Sequence, residues 1–542
     1  MMDKTQRFDR SKRQAFRKIL GLGTGLATAN LLTPSHASAL GMNIGVEPAQ
    51  NPAAPFTGIY YVRGFGARGD GKTVDTPAIN RAIEAAAADG GGTVRFPAGT
   101  YLCYSIHLKS KVDLYLDQGA TILAAETGEQ GSYDPAEPNP WDKYQDFGHS
   151  HWHNALMWGE GISNVSIQGP GLMWGKGLTR GRGETGAGVG DKTISLKNCH
   201  NITIRDISVL HGGHFAILAT GVDNLTIDNV MLDTNRDGVD IDCCHNVRVS
   251  NCTVNSPWDD GICPKSSYGL GYARATENLT ITNCFVTGGY EEGTVLDGTW
   301  KEFQPGVRVP RTGRIKCGTE SNGGFKNITI SNCVFEKCQG LAIETVDGAL
   351  AEDISITNIT MRDIANCPIF LRLGSRMRGP AGVPVGKLRR VNISDIVVSN
   401  TAARYASIIS GIPDHNVEDV RVSNITVLHP GGGTREDAAL VPPEKENAYP
   451  EPTMFGSMPA YGFYIRHTAR IELNHIDVRY EKEDLRPPFV LEEVEEADFL
   501  HIKAQQAAGV PSFALKNVTD FSTYLSRPVR DIYLKNVTQE TL

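Results

Sequence analysis

Apolar and polar residues alternate along most of the chain in a nine-residue pattern that returns many times. The pattern is Asn, apolar, polar, apolar, polar, Asn or Asp, apolar or Cys, polar, apolar, and its clearest copy spans residues 201–209. Such alternation is typical of a β-strand with one buried face. Copies begin at Asn201, Asn224, Asn246, Asn278, Asn327, Asp353, Arg390 and Asp419, with fainter ones near Arg470, Asp498 and Asp531.

The spacing of the copies predicts the architecture. The cleanest intervals are 23 and 22 residues. A strand-rich repeat of about 22 residues is typical of a β-solenoid, in which stacked coils share one core. Leucine-rich repeats have a similar length, but their leucine signature is missing. The sequence therefore predicts an all-β, single-domain parallel β-helix over residues 57–542.

Three segments interrupt the repeat. Residues 76–88 begin with Thr-Pro, continue as an alanine-rich stretch and are followed by three glycines, which predicts a helix with a glycine stop. We expect this helix to cap the first coil, because repeat arrays need capping elements. Residues 293–312 and the Pro- and Gly-rich residues 430–459 are predicted to be long loops.

The first 39 residues have a different composition. Basic residues crowd the start, residues 19–32 are apolar and Gly-rich, and Ala-Ser-Ala at 37–39 is typical of a cleavage site. We predict a signal peptide over 1–39, a linker over 40–56, and an exported protein, periplasmic or secreted. Residues 11–16 weakly resemble a twin-arginine signal. No later run approaches the roughly 18 apolar residues of a transmembrane helix, so no membrane span is expected.

Composition adds two restrictions. The 542 residues carry a formal net charge of −8 without a basic stripe, which argues against a nucleic-acid partner. The 11 cysteines are an odd number, so they cannot all be paired. Cys252, Cys284 and Cys333 share one phase of the repeat, which predicts an interior ladder of thiols rather than disulfides.

Polar side chains recur at one phase of successive coils. Thirteen residues after three consecutive repeat asparagines stand His214, Asp237 and Asp259. Because adjacent strands lie about 4.8 Å apart, we expect these side chains to stack in one column. The charged residues expected beside them, on the same coils and beyond, are Asp240, Asp242, Asp260, Glu291, Arg314, Lys316 and Glu320.

Three interpretations of the stacked acids are open. Asp237 and Asp240 lie in Asn-Arg-Asp-Gly-Val-Asp, a sequence typical of turns, and would then only cap turns. The carboxylates would alternatively bind Ca²⁺. In the functional interpretation, like charges push their pKa values apart, so that one carboxyl is a general acid while its neighbours stay ionised. Glycoside hydrolysis needs that division of labour.

Four segments carry motifs of a known family. Residues 65–73 and 90–101 are two N-terminal motifs, residues 235–240 contain Asn-Arg-Asp-Gly, and residues 258–261 are Trp-Asp-Asp-Gly, leading to Lys265. These segments resemble glycoside hydrolase family 28, the polygalacturonases and rhamnogalacturonases, with Arg in place of the Thr of its Asn-Thr-Asp-Gly motif. The resemblance is clear up to about residue 350. It implies a right-handed parallel β-helix and an enzyme that hydrolyses O-glycosyl bonds.

The resemblance also implies roles for the acids. Asp259 would protonate the leaving oxygen, while Asp237 and Asp260 would activate the attacking water. The family inverts the anomeric configuration, for which carboxyl groups about 6.5 to 9.5 Å apart are typical, and it needs no metal or cofactor. The residues expected to contact substrate are His214, Asn235, Trp258, Lys265, Glu291, Arg314, Lys316, Glu320 and Glu344.

Two family features are missing. No histidine stands where the family has Gly-His-Gly, either at residues 289–293 or at residues 312–314. The family's Arg-Ile-Lys motif, which binds a uronate carboxylate, is spelled by residues 314–316, but one coil too early. The expected phase holds Ala342 and Glu344, and Glu344 would repel a carboxylate. Strand alternation leaves open whether Arg314 and Lys316 face the site.

We predict an exported, inverting glycoside hydrolase whose partner is an α-linked, pectin-like polysaccharide or oligosaccharide. Galacturonan, rhamnogalacturonan and a decorated side chain are the candidate substrates. The insertion at 293–312 is expected to block one end of the cleft and favour exo-action. The alternatives are a polysaccharide lyase or epimerase that uses Ca²⁺ on the same fold, and a non-catalytic carbohydrate-binding solenoid.

Overall fold

The computed structural model describes residues 58–146, 148–181, 186–527 and 529–542. The predicted signal peptide over 1–39 and linker over 40–56 lie outside these residues. Within them, no helix is long and apolar enough to cross a membrane. The structure confirms the predicted right-handed parallel β-helix.

The N-terminal coils build up to a regular three-strand pattern. Their strands are β1 Ile59–Tyr61, β2 Asp70–Val74, β3 Gly92–Phe96, β4 Gly99–Cys103, β5 Ile106–His107, β6 Val112–Leu116, β7 Ala120–Ala124, β8 Ala155–Glu160, β9 Ser163–Gln168 and β10 Leu172–Trp174.

The central coils each contribute three strands. These are β11 Lys192–Lys197, β12 His200–Arg205, β13 Ser208–Leu210, β14 Phe215–Thr220, β15 Asp223–Asp228, β16 Met231–Asp233, β17 Asp237–Asp242, β18 His245–Ser250, β19 Thr253–Asn255, β20 Ile262–Lys265, β21 Thr276–Thr282 and β22 Phe285–Thr287.

The C-terminal part has longer, less regular strands. These are β23 Tyr290–Glu292, β24 Lys301–Glu302, β25 Lys316–Cys317, β26 Phe325–Glu336, β27 Leu341–Thr345, β28 Leu350–Ile364, β29 Ile369–Leu373, β30 Lys387–Thr401, β31 Ser407–Ser410, β32 Val417–Gly431, β33 Phe463–Lys482, β34 Phe489–Leu500, β35 Lys503–Ala504, β36 Phe513–Tyr524 and β37 Ile532–Thr541.

Three parallel faces run along the coils. In the described residues, the first face is a six-stranded sheet in the order β5, β8, β11, β14, β17, β20, which we call the site sheet. The second face pairs β9, β12, β15, β18 and β21, and the third pairs β10, β13, β16, β19 and β22. The inward side chains form one continuous apolar core.

The repeat asparagine turns the chain between faces. Asn201, Asn224 and Asn246 have φ of 56°, 57° and 57°, a left-handed conformation that asparagine adopts more readily than most residues. Each side-chain amide donates to the asparagine of the preceding coil, at 2.9 Å from Asn224 to Asn201 and 3.2 Å from Asn246 to Asn224. We call this series the asparagine ladder.

The predicted cysteine ladder is also present. Cys252, Cys284 and Cys333 are buried, free thiols. The strand registers place them level with one another on consecutive coils. They pack as small apolar groups inside the core.

The predicted helix forms as α1, Thr76–Ala88, and packs on the first strands with one apolar face. Its N-cap is Asp75 rather than Thr76, and the Asp75 carboxylate accepts from the amides of Arg68 and Gly69 instead of capping the helix. That α1 caps the coil column stays a prediction.

Long connections lead from the third face to the site sheet or to the strands β25 and β33, which continue that face beyond β20. Residues 125–154 join β7 to β8, and residues 288–315 join β22 to β25 and include the antiparallel pair β23 and β24. Residues 432–462 join β32 to β33 and include α2, Arg435–Ala438, and a 3₁₀ turn, Pro452–Phe455.

Candidate active site

The strand register places the acids differently from the sequence prediction. Phe215 pairs with Asp237 and Val239 pairs with Ile262, so Asp237 lies level with Asp260 rather than with Asp259. The amide of Gly238 donates to the carbonyl of Asp260 at 3.0 Å, in agreement with that register.

The single column predicted for His214, Asp237 and Asp259 is therefore wrong by one position. The turn between β16 and β17 holds one residue fewer than the turns before β14 and β20. Asp237 therefore leaves the column that His214 and Asp259 share, and Arg236 takes its place there.

The three acids nevertheless meet. One carboxylate oxygen each from Asp237, Asp259 and Asp260 lies within 4.8 Å of the others. They stand at a cleft of about 640 Å³, a usual size for a ligand site. The cleft is lined by Asp146, His149, His214, Arg236, Asp237, Trp258, Asp259, Asp260, Lys265, Pro310, Thr312, Lys316, Thr319, Glu320, Gln339, Tyr449, Glu451 and Thr453.

Asp260 is held as an anion by two buried cations. Arg314 Nε donates to its Oδ1 at 2.9 Å, and Lys316 Nζ lies 2.7 Å from its Oδ2. Burial raises the pKa of Asp260, but Lys316 and Arg314 outweigh burial and hold the pKa well below its usual value. Lys316 therefore lines the cleft, whereas Arg314 is buried outside the cleft lining, where it also bonds Glu451.

Asp237 and Asp259 have the opposite tendency. Burial raises the pKa of Asp237 well above its usual value, and the charges of Asp259 and Asp240 add to this effect. Burial and the charge of Asp260 likewise raise the pKa of Asp259. Each of two close carboxyls disfavours the ionisation of the other. The pair therefore retains one proton at a pH at which an isolated carboxyl would lose it. The site thus contains a proton-holding pair beside a fixed anion.

Arg236 bridges the second column. Its Nη2 donates to Asp259 Oδ2 at 2.6 Å and lies 3.1 Å from His214 Nε2. Burial, followed by the charge of Arg236, keeps the pKa of His214 well below its usual value, so His214 is neutral. His214 Nε2 is 3.9 Å from Asp237 Oδ2, which places His214 beside the acid pair.

A buried network supports the cleft from one side. Lys265 Nζ lies 3.8 Å from Asp240 Oδ2 and 3.3 Å from Glu320 Oε2. His149 Nε2 lies 3.1 Å from the same Asp240 oxygen, and Arg378 bonds Glu320. Lys265 and Glu320 thus line the cleft, although the protein's own charges already neutralise them, and their contact with substrate stays a prediction.

Asn235 and Trp258 lie at a second, adjoining pocket of about 570 Å³. We call it the arginine pocket, and it is lined by Arg180, Asn235, Arg236, Trp258 and Pro310. With the Asn235 amide oriented to satisfy its hydrogen bonds, its oxygen accepts from Arg180 Nε at 3.1 Å. Trp258 is 36% exposed, and it also borders the main cleft.

Two predicted substrate contacts are wrong. Glu291 lies exposed on β23, outside the cleft, because residues 288–315 delay the return to the site sheet until Ile315 pairs with Ile262. Glu344 is buried and does not line the cleft. Burial raises its pKa to about 8, so it is mainly neutral at neutral pH, and the predicted repulsion of a carboxylate loses its basis.

Several cleft residues were not predicted. His149 and Asp146 come from residues 125–154, and Tyr449, Glu451 and Thr453 come from residues 432–462. These long connections carry no repeat, so their position could not be read from spacing. Arg236 was visible only as a departure from the family motif.

The chain matches two sequence families. "Rhamnogalacturonase A/epimerase, pectate lyase-like" matches residues 59–209, and "Right handed beta helix region" matches residues 192–379. A probable polygalacturonase of Vitis vinifera is 24% identical over 391 residues, which cover 67% of this chain and 73% of that protein.

Two solved structures share the fold. A hyperthermoactive exopolygalacturonase of Thermotoga maritima has a TM-score of 0.57 at 16% identity, covering 91% of this chain and 97% of that chain. A family 28 exopolygalacturonase of Yersinia enterocolitica has a TM-score of 0.59 at 18% identity, covering 83% and 79%. The chain is a right-handed parallel β-helix protein, and it is similar to the rhamnogalacturonase and pectate-lyase-like family and to polygalacturonases.

Proposed function

We propose that the protein is a glycoside hydrolase that cleaves α-glycosidic bonds in a pectin-like polysaccharide. The observation that carries this proposal is the meeting of Asp237, Asp259 and Asp260 at one cleft with opposed pKa shifts. Hydrolysis of a glycosidic bond needs a protonated carboxyl and an ionised one on either side of the bond. The relationship to polygalacturonases supports the choice of polymer.

The three acids have different proposed roles, which follow from their surroundings. Asp259 is the most exposed of the three, with 25% of its side chain accessible, and it is the proposed donor to the leaving oxygen. When Asp259 holds the shared proton, Asp237 is ionised and accepts a proton from the attacking water. Asp260 stays charged and orients that water.

The proposed stereochemical outcome is inversion. The facing oxygens lie within 4.8 Å, which is closer than the 6.5 to 9.5 Å expected from the resemblance. Inversion is proposed from the resemblance to the family. Asp260 is bonded through both oxygens and is thus a poor nucleophile, and Asp237 is assigned to the attacking water rather than to the sugar carbon. Proton NMR of the first product would identify its anomer, and retention would contradict the proposal.

The shape of the cleft supports exo-action. Pro310 and Thr312 border it from residues 288–315, and Tyr449, Glu451 and Thr453 border it from residues 432–462. Two insertions on one site favour a pocket for a chain end over an open groove. Products of a single length are expected from a long polymer, and a mixture of lengths would contradict exo-action.

The main test is product analysis after incubation with galacturonan, rhamnogalacturonan and branched pectic polymers. Asp237→Asn and Asp259→Asn are expected to lower kcat at least a hundredfold. Asp206→Asn is the matched control, because Asp206 occupies a half-buried corner position, outside the cleft lining, where other coils have asparagine. Full activity in both site variants would refute the assignment.

A Ca²⁺-dependent lyase or epimerase is the second candidate, since the three clustered oxygens have a spacing that suits a cation. However, both Asp260 oxygens already bind Lys316 and Arg314, whose positive charges disfavour a nearby Ca²⁺. We therefore expect chelators to leave activity unchanged. An ultraviolet-absorbing, unsaturated product would identify a lyase, and sugar binding without turnover would identify a carbohydrate-binding solenoid.

Export is also proposed, on the basis of residues 1–39. Expression of the full chain in a bacterial host followed by N-terminal sequencing would test it. Cleavage after Ala39 and recovery outside the cytoplasm are expected.

A further inference from the structure

The cations of the main cleft differ in how firmly the protein holds them. Arg314 and Lys316 are buried and bond Asp260. Lys265 is buried between Asp240 and Glu320. Because these charges are neutralised inside the protein, they are poorly placed to bind an acidic substrate.

Arg236 is less firmly held. Its Nη2 is bonded to Asp259, but its Nε is buried without a hydrogen-bond partner among the residues that the structure describes. It lines both the main cleft and the arginine pocket. Because Arg236 borders both spaces, its guanidinium can leave Asp259 and bind a ligand in the adjoining arginine pocket.

The arginine pocket has the chemistry to bind such a ligand. Trp258 offers an exposed aromatic face for a sugar ring. Arg180 is exposed in the same lining, where its Nε donates to the Asn235 oxygen, and it adds a second guanidinium beside that of Arg236. Guanidinium forks match carboxylates in shape and charge. The pocket thus suits a sugar that carries a carboxylate.

We propose that Arg236 gates the acid: a sugar carboxylate in the arginine pocket draws Arg236 away from Asp259, and the proton shared with Asp237 then moves to Asp259. This inference rests on the proposed function. While Arg236 is bonded to Asp259, its charge opposes protonation of Asp259 and so favours the proton on Asp237. Hydrolysis needs the reverse arrangement. The step moves one proton between two carboxyls.

The test compares kcat and KM on trigalacturonate and on its fully methyl-esterified form. The wild type is expected to turn over the charged substrate at least tenfold faster. Arg236→Gln removes the gate, so it is expected to raise kcat on the ester and bring the two rates within about threefold. A variant with a damaged fold would have a lower kcat on both substrates. A rise in kcat on the ester therefore cannot come from a damaged fold.

Arg180→Gln is expected to raise KM at least fivefold for the charged substrate alone. Arg205→Gln is the control, because Arg205 is an exposed arginine that pairs with Asp206 at the outer surface. The proposal is overturned if Arg236→Gln, with an unchanged unfolding midpoint, leaves the preference for the charged substrate unchanged.

Failure of the proposed function is distinguishable from failure of the gate. If the wild type cleaves neither substrate, calorimetry with trigalacturonate still tests the pocket. Arg180→Gln is then expected to weaken binding at least fivefold relative to Arg205→Gln. Equal affinities would overturn the arginine pocket as a carboxylate site.

Discussion

His149 Nε2 lies 3.1 Å from Asp240 Oδ2, and both side chains are withdrawn from solvent. His149 belongs to the connection 125–154, whereas Asp240 belongs to β17 of the site sheet. This contact therefore ties an insertion without any repeat to the regular part of the fold, directly behind the proposed acids.

His149→Gln is expected to destabilise the protein most at acid pH. Burial and Lys265 lower the pKa of His149, but Glu320 and Asp240 outweigh them and raise it. The stabilisation is therefore complete below about pH 6.5 and is lost as pH rises through the folded-state pKa. In denaturant unfolding, the free energy of unfolding of the variant should be about 3 kcal/mol lower than that of the wild type at pH 5.5, and the difference should be smaller at pH 9. Equal losses at both pH values, or an equal effect of replacing exposed His200, would contradict this.

Lys316→Met is expected to lower the free energy of unfolding by about 3 kcal/mol at pH 7, because it leaves the buried Asp260 anion with one cation fewer. Since the folded-state pKa of Asp260 is lowered, its stabilisation exists above about pH 4 and is lost as pH falls. Asp260→Asn combined with Lys316→Met should cost less than the sum of the single changes. Additive costs would show that the pair is not coupled; Lys387→Met, at an exposed position, is the control.

Glu344→Gln is expected to stabilise the protein at high pH. The folded-state pKa of Glu344 is raised to about 8, so unfolding, which releases its proton, becomes more favourable above about pH 4.5. The variant should match the wild type near pH 4 and gain stability with a slope approaching 1.4 kcal/mol per pH unit up to pH 8. A constant difference between the two proteins across this range would contradict the assignment.

Substitutions at Asn224 separate the two contributions of the asparagine ladder. Asn224→Ala loses the side-chain bonds and strains a backbone with φ of 57°, so we expect a cost of about 2 kcal/mol. Asn224→Gly loses only the bonds. Asn224→Asp keeps an acceptor for Asn246, and Asp353 shows that aspartate occupies this position elsewhere. The unfolding midpoints are expected to fall in the order Asn, Asp, Gly, Ala at position 224. An alanine variant as stable as the glycine variant would contradict this order.

The repeat made the fold predictable, because alternation and a fixed coil length follow directly from stacked strands. The positions of the site residues were harder to predict by counting residues along the repeat. The turn before β17 is one residue shorter than its neighbours and moved Asp237 out of the column of His214 and Asp259, and the insertion before Ile315 moved Glu291 out of the cleft. Lys316 entered the cleft for the same reason. His149 and Glu451 reach the cleft through long connections that no periodicity specifies.

The long connections at 125–154, 288–315 and 432–462 lead from the third face to the first face or to the strands that continue it. Part of the cleft wall is therefore built from segments that contribute little to coil stacking. Such a division allows these segments to change length and composition while the strand registers stay intact. Substrate choice in this architecture can accordingly diverge at one corner of the coil, with the solenoid itself left as it is.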